Sequence, residues 1–191
     1  MIPTRDECFR LMNQSEMLSN MIDHSIEVTR VALFLTGELN KRGQNIDLRL
    51  VEAASLLHDV TKAECLKTKE DHAQTGPQLL KNMGYIRVGE VVAEHIHLEG
   101  KNDPSWVTEE EIVNYADKRV RHDRIVSLEE RFCDLMDRYG RNPKASEQIE
   151  QLKKATFEIE NKIFFILEID PSELQHLRLE EDLSVGIPVD E

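Results

Sequence analysis

Apolar residues along this chain recur at helical rather than strand spacing. Ile22, Ile26, Thr29 and Leu33 share one face of a helix, and Val28, Ala32, Leu35 and Leu39 widen the stripe. The pattern predicts a helix over residues 21–41, closed by Gly43. A second helix starts after Asp47, a good N-cap, and turns Leu50, Val51, Ala54 and Leu57 inward. It is apolar on most sides, as a central helix is. A third begins at His72, carries Pro77 in its first turn, where a missing N–H costs little, and ends at Gly84. Further helices are predicted over 88–97, 109–121, 127–139 and 144–167, with a short one after Pro171. Turns are expected over 100–105 and 140–143, and a frayed acidic tail over the last dozen residues. Alternating apolar–polar runs are scarce, and no Asn-Gly or Asp-Gly hairpin signal occurs. The fold class read from this is all-α.

Charge narrows the function. Asp and Glu number 37 against 24 Lys and Arg in 191 residues, a net charge of −13. A clamp on a nucleic-acid polymer needs the opposite surplus, and so does docking on an anionic membrane. A small phosphorylated ligand needs only a local positive site and stays open. Cys8, Cys65 and Cys133 are odd in number and form no CxxC pair, which fits reduced thiols in a cytoplasmic protein. The N-terminus lacks the apolar stretch of a signal peptide, and the longest apolar runs are too short to span a bilayer.

Seven histidines occur, and each alone has an ordinary explanation in a core or on a surface. Their placement carries more. His24 lies at the start of the first long helix, and His58 and Asp59 at the end of the second. His72 begins the third helix, His95 ends the fourth, and Asp117 sits inside the fifth. One imidazole or carboxylate per successive helix is how a bundle converges ligands on its interior. Mixed imidazole and carboxylate suits divalent Fe, Mn, Zn, Ni or Co. Asp59 and Asp117 each end an apolar stretch, where an uncompensated carboxylate is costly.

The order His24, His58-Asp59, Asp117 resembles the H…HD…D signature of the HD-domain metal-dependent phosphohydrolases. Leu56-Leu-His-Asp-Val-Thr-Lys62 looks like the LLHDIGK motif of the HDIG subgroup, with Thr61 in place of its glycine. His72-Ala-Gln-Thr-Gly76 resembles the HAxxG element of two-metal members, and Val92-Ala-Glu-His95 and Asn114-Tyr-Ala-Asp117 match the later histidine and the final aspartate. The resemblance covers about residues 20–125. It implies an HD-domain helical bundle (1–125) with C-terminal helices packed on it (126–178) and a flexible tail (179–191). It implies a metal at His24, His58, Asp59 and Asp117, with His72 and His95 holding a second ion and Asp59 bridging. The layout is similar to the bacterial HD-fold diadenosine tetraphosphate hydrolases, which carry a di-iron centre. His97 stands two residues from His95, so either is a candidate ligand; the spacing to Asp117 favours His95, and His97 is then a candidate substrate contact.

The function implied is hydrolysis of a nucleotide or related phosphate ester by metal-activated water, with one or two ions, iron or manganese among them. Water on such an ion has a pKa near about 7, so no Ser-His or Cys-His pair is needed. Asp59 is expected to orient the nucleophile as well as bind metal. Lys62, three residues beyond the HD pair, is expected to contact phosphate. Arg121, at i+4 from Asp117, is a second candidate for that role, whereas Arg119 and Arg124 read as solvated helix-face charges. The alternatives are a non-catalytic metal- or nucleotide-binding module and di-iron oxygenase chemistry. Trp106 is expected to pack a loop. The apolar stripe from Ile149 to Phe164 reads as intramolecular packing, and nothing in the pattern specifies an oligomeric state.

Overall fold

The computed structural model describes residues 1–98 and 103–177. Nine α-helices occur among the described residues: α1 (Arg5–Gln14), α2 (Ser19–Lys41), α3 (Leu48–Leu57), α4 (Lys62–Thr68), α5 (His72–Asn82), α6 (Ile86–Ala93), α7 (Glu109–Lys118), α8 (Leu128–Tyr139) and α9 (Pro143–Leu167). A 3₁₀ turn over Pro171–His176 follows α9. Between α7 and α8 a two-residue ribbon pairs β1 (Val120–Arg121) antiparallel with β2 (Arg124–Ile125). The all-α expectation holds. Among the described residues, no helix is long and apolar enough to cross a membrane.

Local chemistry sets most helix starts. Asp47 caps α3 by accepting from the Arg49 and Leu50 amides, and Asp71 caps α5 through Ala73. Thr4–Glu7, Thr108–Glu111 and Ser127–Glu130 form reciprocal capping boxes on α1, α7 and α8. Gly43 and Gly84 end α2 and α5 in the left-handed region (φ 86° and 88°), which glycine enters without penalty.

The core forms where α2 lies along α3 and both meet α7. Val31, Leu35, Leu39, Val51, Leu57, Ile112 and Tyr115 are wholly buried there. Truncating such a leucine to alanine costs about 2–5 kcal/mol. The second half of α9 joins this core through Ile159, Ile163 and Leu167, while its first half stays half-exposed. Three ties fix α9 to α7. Tyr115 donates to Glu160 (2.6 Å), Arg119 pairs with the same carboxylate (3.1 Å), and Lys162 pairs with Glu111 (2.8 Å).

Several expectations change. Helices α1 and α4 and the β-ribbon carry too short a periodic signal to stand out. Pro77 lies inside α5 rather than in its first turn. α6 stops at Ala93, which leaves His95 and His97 on the turn beyond it. α7 stops at Lys118, so Arg121 belongs to β1 and is not on the helix face of Asp117. Arg119, expected in solvent, is fully buried, donating to the carbonyls of Val126 and Pro171. Trp106 is 52% exposed rather than packed. Part of the 100–105 turn and all of the 179–191 tail lie outside the described residues.

Candidate metal centre

Five elements converge on one point. α2 supplies His24, the end of α3 supplies His58 and Asp59, α5 supplies His72, the turn after α6 supplies His95, and α7 supplies Asp117. His24, His58 and Asp59 form one group whose ligating atoms lie within 4.8 Å of one another. Asp59, His72 and His95 form a second, so Asp59 belongs to both. Asp117 joins the first group, its Oδ1 standing 3.1 Å from His24 Nε2 and 3.6 Å from His58 Nε2. Across the second, Asp59 Oδ1 is 3.3 Å from His72 Nε2 and 3.9 Å from His95 Nε2.

The ring orientations show which nitrogen is offered. His24 Nδ1–H donates to the His122 carbonyl, His58 Nδ1–H to Ser55 and His95 Nδ1–H to Val92, at 2.8, 2.8 and 2.6 Å. A carbonyl only accepts, so each Nδ1 carries the proton and each Nε2 presents a lone pair to the centre. Nε2 of His58 and of His95 is buried and makes no hydrogen bond among the described residues. Buried polar atoms left so are rare, and here they face two carboxylates that bring no proton to share. Lone pairs and carboxylates converging in a dry interior fit a divalent cation, and the donor set suits a transition metal.

Electrostatics keeps these groups in their ligating forms. Burial pushes His95 down to about 3, with His58 adding to the effect, and burial also lowers His58. Burial alone would raise Asp59. His58, the hydrogen bond from His72 and the Lys62 ammonium outweigh it and hold the carboxyl well below its usual range. In Asp117 burial is likewise overcome, mainly by Lys118 and His24. Burial would lower Lys62, but Asp59 beside it pulls it up, so it stays an ammonium.

A cleft of about 440 Å³ opens onto the second group. Asp59, His72, His95 and Asp117 form its floor and Lys62, His97 and Lys118 its near side; α8 and α9 contribute Arg131, Leu135, Tyr139, Ile149 and Leu152 opposite. Lys62 Nζ reaches Asp59 Oδ2 at 2.6 Å, and Lys118 Nζ bridges Asp117 Oδ2 and the His95 carbonyl at 2.8 Å each. The six sequence-predicted ligands and Lys62 are thus brought together. His97 lines the cleft but belongs to neither metal group, and Arg121 does not line it. Lys118 opens the basic run 118–124 that follows Asp117, although nothing in that run singles it out for the cleft, and no motif marks Arg131. Ile149 and Leu152, read as intramolecular packing, do pack against the core and line the cleft as well. Thr61 adopts φ −98°, ordinary for any residue, and shares a 2.8 Å hydrogen bond with Thr75, so no glycine is needed there.

The HD domain family matches residues 21–142, a span that contains all six convergent histidines and aspartates and reaches on to include α8. A tRNA (cytidine(56)-2'-O)-methyltransferase of Picrophilus torridus is 30% identical over 152 residues, covering 72% of this chain and 41% of that protein. An uncharacterized protein of Methanocaldococcus jannaschii is 23% identical over 64% of this chain and 79% of its own length. Ribonuclease Y 1 of Pediococcus pentosaceus is 40% identical over 62 residues, 32% of this chain and 11% of that enzyme. The chain therefore spans well under half of the first of these relatives and a small part of the ribonuclease. No solved structure gives a significant match. With its family match running through every convergent histidine and aspartate, the chain belongs to the HD-domain family.

Proposed function

We propose that this protein is a metal-dependent phosphohydrolase acting on a nucleotide or a related small phosphate ester or anhydride. The observation that carries the reading is the pair of His/Asp groups sharing Asp59 at the floor of a cleft edged by lysines. His24, His58, Asp59 and Asp117 would hold one divalent ion, and His72 and His95 a second, with Asp59 common to both. Iron and manganese lead the candidates for this donor set. Such ions supply Lewis acidity and a source of hydroxide near neutral pH.

The chain's own residues do the rest. His58 and His95 stay neutral and fixed by their Nδ1–H bonds, so their Nε2 atoms are aimed before any ligand arrives. Asp59 orients the groups around it and accepts from Lys62. The Lys62 ammonium, 39% exposed at the side chain, is the cation free to swing onto a substrate phosphoryl oxygen. Lys118, only 4% exposed, holds Asp117 in place. His97 stands at the rim as a substrate contact.

The methyltransferase and ribonuclease activities of the relatives belong to proteins of which this chain spans only part, and a net charge of −13 argues against a long nucleic-acid substrate. The test is to load the protein with Fe(II) or Mn(II) and follow phosphate release from mono-, di- and dinucleotide phosphates, diadenosine tetraphosphate included, alongside oxygen uptake. Metal-dependent phosphate release abolished by Asp59→Ala is expected. Oxygen consumption without phosphate release would replace hydrolysis by oxygenase chemistry, and bound metal without turnover would leave a binding module.

A further inference from the structure

The cleft has two chemically different sides. Beyond the floor, Leu135 of α8 and Ile149 and Leu152 of α9 turn half-buried aliphatic surface into it, with the ring of Tyr139 at the edge and the amide of Gln148 beside them. Gln148, Ile149 and Leu152 lie in the first half of α9, whose second half supplies the buried packing positions Ile159, Ile163 and Leu167. Leu135, Ile149 and Leu152 pack against the core along part of their surface and turn the remainder into the cleft. Aliphatic surface beside a charged floor is unfavourable unless something apolar covers it, and ligand sites combine such walls with a few convergent polar groups.

Arg131 stands on the same wall. Its guanidinium makes a long contact to Asp134 (3.5 Å), and its Nε is buried without a hydrogen-bond partner among the described residues. Asp134 is itself engaged by Arg138 at 3.0 Å. Among the described residues that line the cleft, Asp59 and Asp117 of the floor are the acids, although the chain as a whole is strongly acidic. At about 440 Å³ the cleft lies toward the small end of the roughly 300–1,000 Å³ typical of ligand sites.

We infer that the α8–α9 wall is the specificity site of this protein, holding the nucleoside part of a mononucleotide-sized substrate against Leu135, Ile149 and Leu152, with Arg131 as an anion contact. The inference deepens the proposed function and rests on it for the position of the phosphate. It separates two roles: the floor takes any phosphate, and the wall chooses what the phosphate is attached to.

Titration calorimetry of the metal-loaded protein tests this with three probes: inorganic phosphate, adenosine, and adenosine 5′-phosphorothioate. The nucleotide analogue is expected to bind at least about tenfold more tightly than phosphate, through burial of the base on the wall. Leu152→Trp, which fills the slot, should erase that advantage and abolish adenosine binding, leaving phosphate affinity and metal content unchanged. Arg131→Ala should weaken the nucleotide analogue by about tenfold, as loss of a charge-assisted contact does, and Arg131→Lys should recover part of it. A nucleotide advantage that is absent, or that survives Leu152→Trp, would overturn the inference. So would a single-stranded oligonucleotide that binds more tightly than the mononucleotide and is unaffected by Leu152→Trp. Failure of the hydrolase reading looks different, because adenosine binding sensitive to Leu152→Trp would persist without metal-dependent phosphate release.

Discussion

At the scale of single residues, the centre depends on atoms that gain nothing from the protein alone. Asp59 is the shared member of both groups, so Asp59→Ala should remove most of the bound metal. Its effect on activity should exceed the roughly 10–100-fold loss usual for an outer-sphere change. Lys62→Ala should instead leave metal content near wild type and raise KM or lower kcat, read by steady-state kinetics beside metal analysis. The buried histidines set a pH dependence. His95 is pushed from an ordinary 6.5 to about 3, and His58 moves in the same direction, so between those limits the unfolded chain binds more protons than the folded one. Their contribution to stability is fully present above pH 6.5 and is lost progressively as pH falls toward 3. Metal-free protein should accordingly show a denaturant midpoint that declines as pH drops below that value, and a midpoint flat to pH 4 would contradict the burial of neutral imidazoles. The convergence of these histidines and aspartates was legible in the sequence because both residue types are conspicuous at the ends of apolar stretches. Arg131 was not, since an arginine after two glutamates on an amphipathic helix looks like any solvated charge.

Elements explain where the reading of the sequence stopped. The long helices α2 and α9 and the cap-marked starts of α3, α7 and α8 follow from periodicity and capping residues. Helix ends do not, because they are decided by tertiary contacts. α7 ends at Lys118 because the next residue, Arg119, turns inward to pair with Glu160 and to donate to the Val126 and Pro171 carbonyls. That single burial moved Arg121 off the ligand helix and onto a short ribbon. Arg119 also donates to the Tyr115 hydroxyl, so Glu160 balances a dry cationic network between α7 and α9. Glu160→Ala should cost about 3–5 kcal/mol in urea unfolding, as loss of one partner of a buried pair does, with Glu160→Gln costing less. A loss below 1 kcal/mol would mean that α9 is held by its apolar face alone.

For the molecule as a whole, the distribution of charge and apolar surface is uneven in a way that composition conceals. A chain of net charge −13 gathers Lys62, Lys118 and Arg131 around one cleft, and gathers its convergent histidines beneath them. The sequence argued for a positive site of small extent, but its far wall comes from helices outside every motif, and only packing brings them there. The convergent histidines and aspartates thus come from α2, α3, α5, α7 and the turn after α6, while α8 and α9 form the far wall of the cleft above them. The central claim is that this centre holds two ions sharing Asp59. Elemental analysis of protein purified without chelator or histidine tag, and reconstituted with Mn(II) or Fe(II), tests it most directly. Two ions per chain are expected, with a fall toward one in His72→Ala and little metal in Asp59→Ala. One ion per chain indifferent to His72→Ala would contradict the shared centre, and no metal after reconstitution would contradict the reading of these residues as ligands.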